Sequence, residues 1–171
     1  MTSMMDRQHL AMATDGVGAK YAKLEVECEA TAVRNARDFT RAQLATWGFL
    51  KGSDFSERVV LVISELVTNA VQHARTRPPG ENESIDIATV LMPDHVVGIL
   101  VADNSPRAPL CSAKDPAEAT HGRGLLLVSA LADGWTALPR PFPDGAQGKG
   151  IWAFFECPTV EVLPRLASRE R

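Results

Sequence analysis

The sequence predicts an α+β domain in which helices cover one face of a sheet. Three observations carry this. The chain has 171 residues, a length that suits one domain of about 100–200 residues. Its apolar residues recur every second position in some segments and every third or fourth in others, the periods of strands and of helices. The segments run strand, helix, helix, two strands, long loop, helix, two strands. Helices and antiparallel strands are thus partly segregated, which defines the class.

Each element has its own signal. Residues 1–22 lack periodicity and are expected as a tail ahead of a domain over 23–158, with a charged tail over 159–171. Lys23 to Cys28 alternates, Leu24, Val26 and Cys28 against Lys23, Glu25 and Glu27, as a half-buried strand does. Thr31 to Trp47 places Val33, Ala36 and Phe39 three apart and ends at Gly48, a residue that tolerates the left-handed turn closing many helices. Asp54 to Ala74 is the strongest helix, with Asp54 and Glu57 spaced as a capping box. Arg77-Pro78-Pro79-Gly80 breaks the chain. Ser84 to Leu91 and Val96 to Ala102 read as strands joined by a turn at Pro93-Asp94. Asn104 to His121 is a connection longer than usual, the length of a functional lid or of a disordered segment. Gly124 to Leu131 is a short apolar helix, and Trp135 to Leu138 and Ile151 to Phe155 are the last strands.

Composition removes several classes of function. Hydrophobic residues make up 45%, charged residues 23%, and the net charge is −3. That balance argues against direct nucleic-acid binding, which is usually marked by a basic patch, and suits a protein that docks to other proteins. Cys28, Cys111 and Cys157 are scattered, with no CxxC, so neither a disulfide framework nor a zinc site is expected. Met1 to Lys20 has no signal-peptide pattern and no run reaches the roughly 18 apolar residues of a membrane span. The expectation is a soluble, cytoplasmic protein.

Four constellations carry possible chemistry. Glu65, Asn69 and His73 are four apart on one helix and form one polar stripe. A carboxylate and an amide oxygen one turn apart suit magnesium shared with phosphates, and the carboxylate suits a general base. The same stripe would also serve as the solvated side of an amphipathic helix. Asp103 ends an apolar strand, where it could accept a hydrogen bond from an exocyclic amine or simply form a turn with Asn104. Gly122, Arg123 and Gly124 precede a helix; the backbone there could approach phosphate, or the segment could be a flexible joint. Gly148-Lys149-Gly150 enters the last strand and could line a nucleotide or close a turn.

Each feature is common, but their order and spacing over residues 65–152 are not. This stretch resembles the GHKL (histidine-kinase-like) ATPase superfamily. Ser64 to Ala74 resembles its N-box, Asp103 its first glycine-box aspartate, and Gly122 to Val128 its second glycine box. "SELVTNAVQHA", "DNSPRAP", "HGRGLLLV" and "GKGIWAFF" are similar to the compact ATP-binding regulators related to anti-sigma factor serine kinases. The resemblance implies a Bergerat-type two-layer sandwich, with helices on one face of a mixed, largely antiparallel sheet. It implies ATP and Mg²⁺ as ligands, with Asn69 on the metal, Glu65 as catalytic base and Asp103 on the adenine amine. Gly122, Arg123, Gly124 and Leu125 would contact phosphates, with His73 and Lys149 also lining the nucleotide. It further implies transfer of phosphate to a serine of an anti-anti-sigma partner, alternating with capture of a sigma factor, and a possible homodimer. Ser105 and Arg107 stand where the family's first box has glycines, and Gly150 where its last box carries threonine. Those departures motivate an alternative, a non-catalytic binding module of the same fold. A histidine-kinase catalytic domain is disfavoured, because no helical hairpin with a phosphoacceptor His precedes residue 31.

Overall fold

The structure is a computed structural model that describes residues 18–73, 76, 83–106, 123–141 and 146–158, with the backbone alone of Arg123. The described elements are β1 (Lys20–Glu27), α1 (Thr31–Thr46), α2 (Asp54–His73), β2 (Ser84–Leu91), β3 (Val96–Asp103), α3 (Arg123–Leu131), β4 (Gly134–Pro141) and β5 (Gln147–Glu156). The five strands form one sheet in the order β1-β2-β3-β5-β4. All four ladders are antiparallel.

Three strands extend beyond their alternating cores, because ladder pairing continues where hydropathy no longer alternates. β1 begins at Lys20, which pairs with Leu91. β5 begins at Gln147 and brings Lys149 opposite Asp103 and Gly150 opposite Ala102. β4 is an edge strand carrying Pro139 and Pro141, and proline on an edge withholds N–H groups from a further strand.

The helix boundaries have local causes. α1 closes on Gly48 at φ 95°. The Gly48 N–H reaches the Ala45 carbonyl at 3.0 Å and the Phe49 N–H the Leu44 carbonyl at 3.0 Å. This paired pattern is a Schellman motif, completed by the burial of Leu44 and Phe49. The start of α2 corrects the sequence reading: the cap is Ser53, not Asp54. The Ser53 Oγ accepts the Ser56 N–H at 3.2 Å, the N3 donor that an N-cap hydroxyl satisfies. Asp54 and Glu57 lie inside the first turn, where their charge favours the helix dipole.

The core lies between the helices and one sheet face. Val59, Val62, Ile63, Leu66, Val67 and Ala70 of α2 pack with Ile85, Ile87, Val97, Ile99, Val101, Ile151 and Phe155. Each such fully buried aliphatic or aromatic side chain contributes about 1.5–3 kcal/mol. Within α1 the fully buried row is Ala32, Ala36, Thr40 and Leu44, with Val33 and Phe39 at its flanks. Arg58 of α2 pairs with Asp133 at 3.1 Å, and Asp133 also accepts the Glu156 N–H at 2.7 Å. This ties the helix layer to the turn before β4. The opposite sheet face carries a smaller cluster, Val90, Met92, Val96, Trp152 and Phe154. Among the described residues no helix is long and apolar enough to cross a membrane.

Candidate functional site

The apolar face of α2 fixes which way its polar stripe points. With Ile63, Leu66, Val67 and Ala70 buried, Glu65 and Asn69 stand at the border of the core, each partly exposed. They do not face open water. A Cβ built on Gly124 would lie 2.9 Å from the Asn69 Nδ2, 3.2 Å from its Oδ1 and 3.2 Å from the Glu65 Oε2. The first turn of α3 therefore abuts both polar groups, and a side chain at this position would make them shift. This brings together the expected N-box and the expected second glycine box.

α3 spans nine residues, and its first N–H groups have no partners within the helix. Together with the dipole they favour an anion. Gly124 is buried at this end. Leu125 is not a polar contact: its side chain is 4% exposed and belongs to the core, so only its backbone is available to a ligand. Gly122 lies outside the described residues, as do the Arg123 side chain and residues 107–121 of the expected lid.

Asp103 ends β3 on the helix-facing side of the sheet, continuing the row of Val97, Ile99 and Val101. Its side chain is nearly buried, at 4% exposure for the residue. The Oδ1 accepts the Ser105 N–H at 2.8 Å and the Lys149 ammonium at 2.9 Å. Lys149, expected along the nucleotide, thus reaches the aspartate across the β3–β5 ladder. A cation beside a buried carboxylate offsets the cost of burying charge. Both bonds fall on the Oδ1, which leaves the Oδ2 placed for a further donor. Ser105 is buried as well, and its N–H closes the turn onto the Asp103 carboxylate.

Gly150 does not bear on this cleft as its place in the motif suggested. Its missing Cβ would meet Leu100 at 3.1 Å and Ala102 at 3.8 Å, residues of the far sheet face. A hydroxyl there would point away from Asp103. Gly150 instead helps floor an open depression of about 530 Å³ on the far face, beside Trp152 and Leu138. His73 is exposed at the end of α2, about 12 Å along the axis from Glu65 at 1.5 Å per residue.

Sequence reasoning missed Glu83. This residue is 5% exposed and gathers donors from Thr76 and from Asn104, the neighbour of Asp103. A lone glutamate after a proline–glycine run carries no sequence signal of burial.

A helix-backed antiparallel sheet, with a carboxylate and an amide set against the glycine of a helix start and an aspartate ending a central strand, defines a GHKL-type domain. The chain belongs to the histidine kinase-like ATPase domain family, whose model matches residues 26–138. Among solved structures it is similar to a chain of the SiaB–SiaC complex from Pseudomonas aeruginosa, at a TM-score of 0.60 and 17% identity, covering 85% of this chain and 97% of that one. At that identity the likeness concerns the fold. No curated protein matches the chain significantly.

Proposed function

We propose that this protein binds Mg²⁺ and ATP between α2 and α3 and acts as a protein-serine kinase on a small anti-anti-sigma partner. The observation that carries the reading is the packing of Asn69 and Glu65 against Gly124. The donor set fits the ligand. Asn69 offers a hard oxygen, as magnesium requires, and Glu65 a carboxylate for the proton. Among the described residues no group of three or more His, Cys, Asp or Glu could hold a metal alone, so the ion would share its sphere with phosphate.

Bound Mg²⁺ and ATP would supply the phosphoryl group and neutralise its developing charge. The Asn69 Oδ1 would hold the cation. The Glu65 carboxylate would take the proton from a partner serine hydroxyl, readying its oxygen for the γ-phosphoryl group that ATP would supply with ADP as the leaving group. The backbone at the start of α3 receives phosphate oxygens. Asp103 accepts the adenine amine, held in place by Lys149 and the Ser105 N–H. Phosphorylation adds roughly −1.5 to −2 charges to the partner, which would break its docking and free this protein to hold a sigma factor. Membership of the SiaB–SiaC neighbour in a two-protein assembly supports a protein partner.

A second reading, a non-catalytic binding module, is favoured by the Asp103–Lys149 pair, which already occupies one oxygen of the adenine-side carboxylate. Transfer of radiolabelled γ-phosphate to candidate partners, with wild type beside Glu65→Gln, separates the two. Transfer by wild type that falls at least about 100-fold in the variant supports the kinase. Analogue binding without transfer supports the module. No transfer and no binding of an ATP analogue sinks the kinase and leaves a module that works without nucleotide.

A further inference from the structure

The geometry points to Glu83 as a positioning residue that ties the Asp103–Asn104–Ser105 turn to the start of β2 and to Thr76. It rests on the proposed nucleotide site, because it holds in place the turn that carries that site's Asp103.

Glu83 immediately precedes β2. The start of β2 lies between β1 and the end of β3, since Ser84 pairs with Glu27 and Asp86 with Ala102. The Glu83 backbone is anchored there, its carbonyl accepting the Cys28 N–H at 2.7 Å. Its side chain is buried and spans two segments. On one side lies Thr76, three residues beyond the end of α2. The Thr76 hydroxyl donates to the Oε1 at 2.7 Å, and the Thr76 N–H to the Oε1 and Oε2 at 3.1 and 3.2 Å. On the other side the Asn104 Nδ2 donates to the same Oε1 at 3.4 Å. Asn104 is the next residue after Asp103 and precedes Ser105, whose N–H holds the Asp103 carboxylate.

A buried carboxylate is costly unless it is well hydrogen-bonded. Here a strand-anchored carboxylate takes donors from Thr76 and from the aspartate turn together. Such a group does more than seal the core: it makes the position of the turn depend on the start of β2 and on Thr76. A catalytic site needs its groups held within about 0.5 Å of the working geometry by supporting hydrogen bonds. The link supplies that support between segments far apart in sequence.

The test uses the full chain and three variants, Glu83→Ala, Glu83→Gln and Asn104→Ala. Amide hydrogen exchange is followed at Thr76 and Ser105 without nucleotide, and binding of a fluorescent ATP analogue is measured separately. In Glu83→Ala, exchange at Ser105 is expected to rise about tenfold or more, while β3 amides from Val97 to Val101 stay protected. Analogue affinity falls by a similar factor. Glu83→Gln restores both to within about threefold, since its carbonyl accepts from Thr76 and its amide donates to a rotated Asn104 side chain. Unchanged exchange at Ser105 in a folded Glu83→Ala protein overturns the proposal, as does a Glu83→Gln protein no better than Glu83→Ala. Should Glu83→Ala fail to fold, Asn104→Ala cuts one side of the same link and must itself raise Ser105 exchange, or the proposal fails. A wild type that binds no analogue removes the nucleotide reading, and the exchange result still decides whether Glu83 holds the turn.

Discussion

At the scale of the residue, Gly124 is where the site is most tightly specified. Its constraint is contact rather than backbone conformation. Gly124→Ala adds a carbon 2.9 Å from the Asn69 amide nitrogen and 3.2 Å from the Glu65 carboxylate, so either α3 retreats or both side chains turn away. Affinity for an Mg–ATP analogue, measured by titration calorimetry, is expected to fall about tenfold or more, a loss of about 1.4 kcal/mol. The fold loses less, because the clash meets side chains at the rim of the core. The cysteines show the opposite case, residues whose context makes them inert. Burial pushes the Cys157 thiol up to about 12, a hydrogen bond with the Val97 backbone lowers it and Asp94 raises it. A raised thiol means that the folded state keeps its proton where the unfolded state, near 9, loses it. Its contribution to stability is therefore whole below pH 9 and declines from there toward pH 12. Iodoacetamide at pH 8.5 is expected to leave Cys157 unmodified in the native protein and to label it in urea. Rapid native labelling would contradict the assignment. Cys28 is buried while Cys157 is partly exposed, the former in keeping with a structural role, whereas Cys111 lies outside the described residues.

At the scale of the element, helix ends were set by hydrogen bonds that hydropathy does not display. Gly48 was legible as a stop because a left-handed residue strongly favours glycine. Ser53 was not, because Asp54 followed by Glu57 gives an equally good capping pattern one residue later. The Ser56 N–H chose the serine. Ser53→Ala is expected to destabilise the protein by about 1 kcal/mol, read as a lower urea midpoint at constant m-value. Asp54→Ala should lose less, since its charge acts only through the helix dipole. Strand ends followed the same rule. The alternation located Leu24 and Val26, but only pairing with Thr89 to Leu91 showed that β1 starts at Lys20. α1 likewise kept its span while its most buried row ran through Ala32, Ala36, Thr40 and Leu44, the first two small enough to let a neighbouring element come close.

At the scale of the whole molecule, the domain is one helix layer on one antiparallel sheet, and its proposed site lies where the layers part. Glu65 and Asn69 come from the helix layer, Asp103 and Lys149 from the sheet, so a ligand touching both would add contacts across the seam. Mg–ATP at about 100 times its Kd is expected to stabilise the fold by about 2.7 kcal/mol. For a chain of this size that raises Tm by about 5–10 °C. A scan with ATP, with Mg–ATP and with magnesium alone checks it, and equal Tm values in all three would remove the proposed site.

The sequence by itself determined the class, the order of the elements and the stripe of Glu65 and Asn69, since period and i, i+4 spacing are local properties of a helix or a strand. It also pointed to Asp103 and Gly124 through their places at element ends. Tertiary structure alone decided what those residues touch. Gly124 proved to make room for Asn69, and Lys149 to pair with Asp103. Gly150 faces the other side of the sheet, and Glu83 joins two distant segments. The reason is physical: a residue's partner across a ladder or a helix packing depends on register and on the other layer, and neither is encoded in the few residues around it.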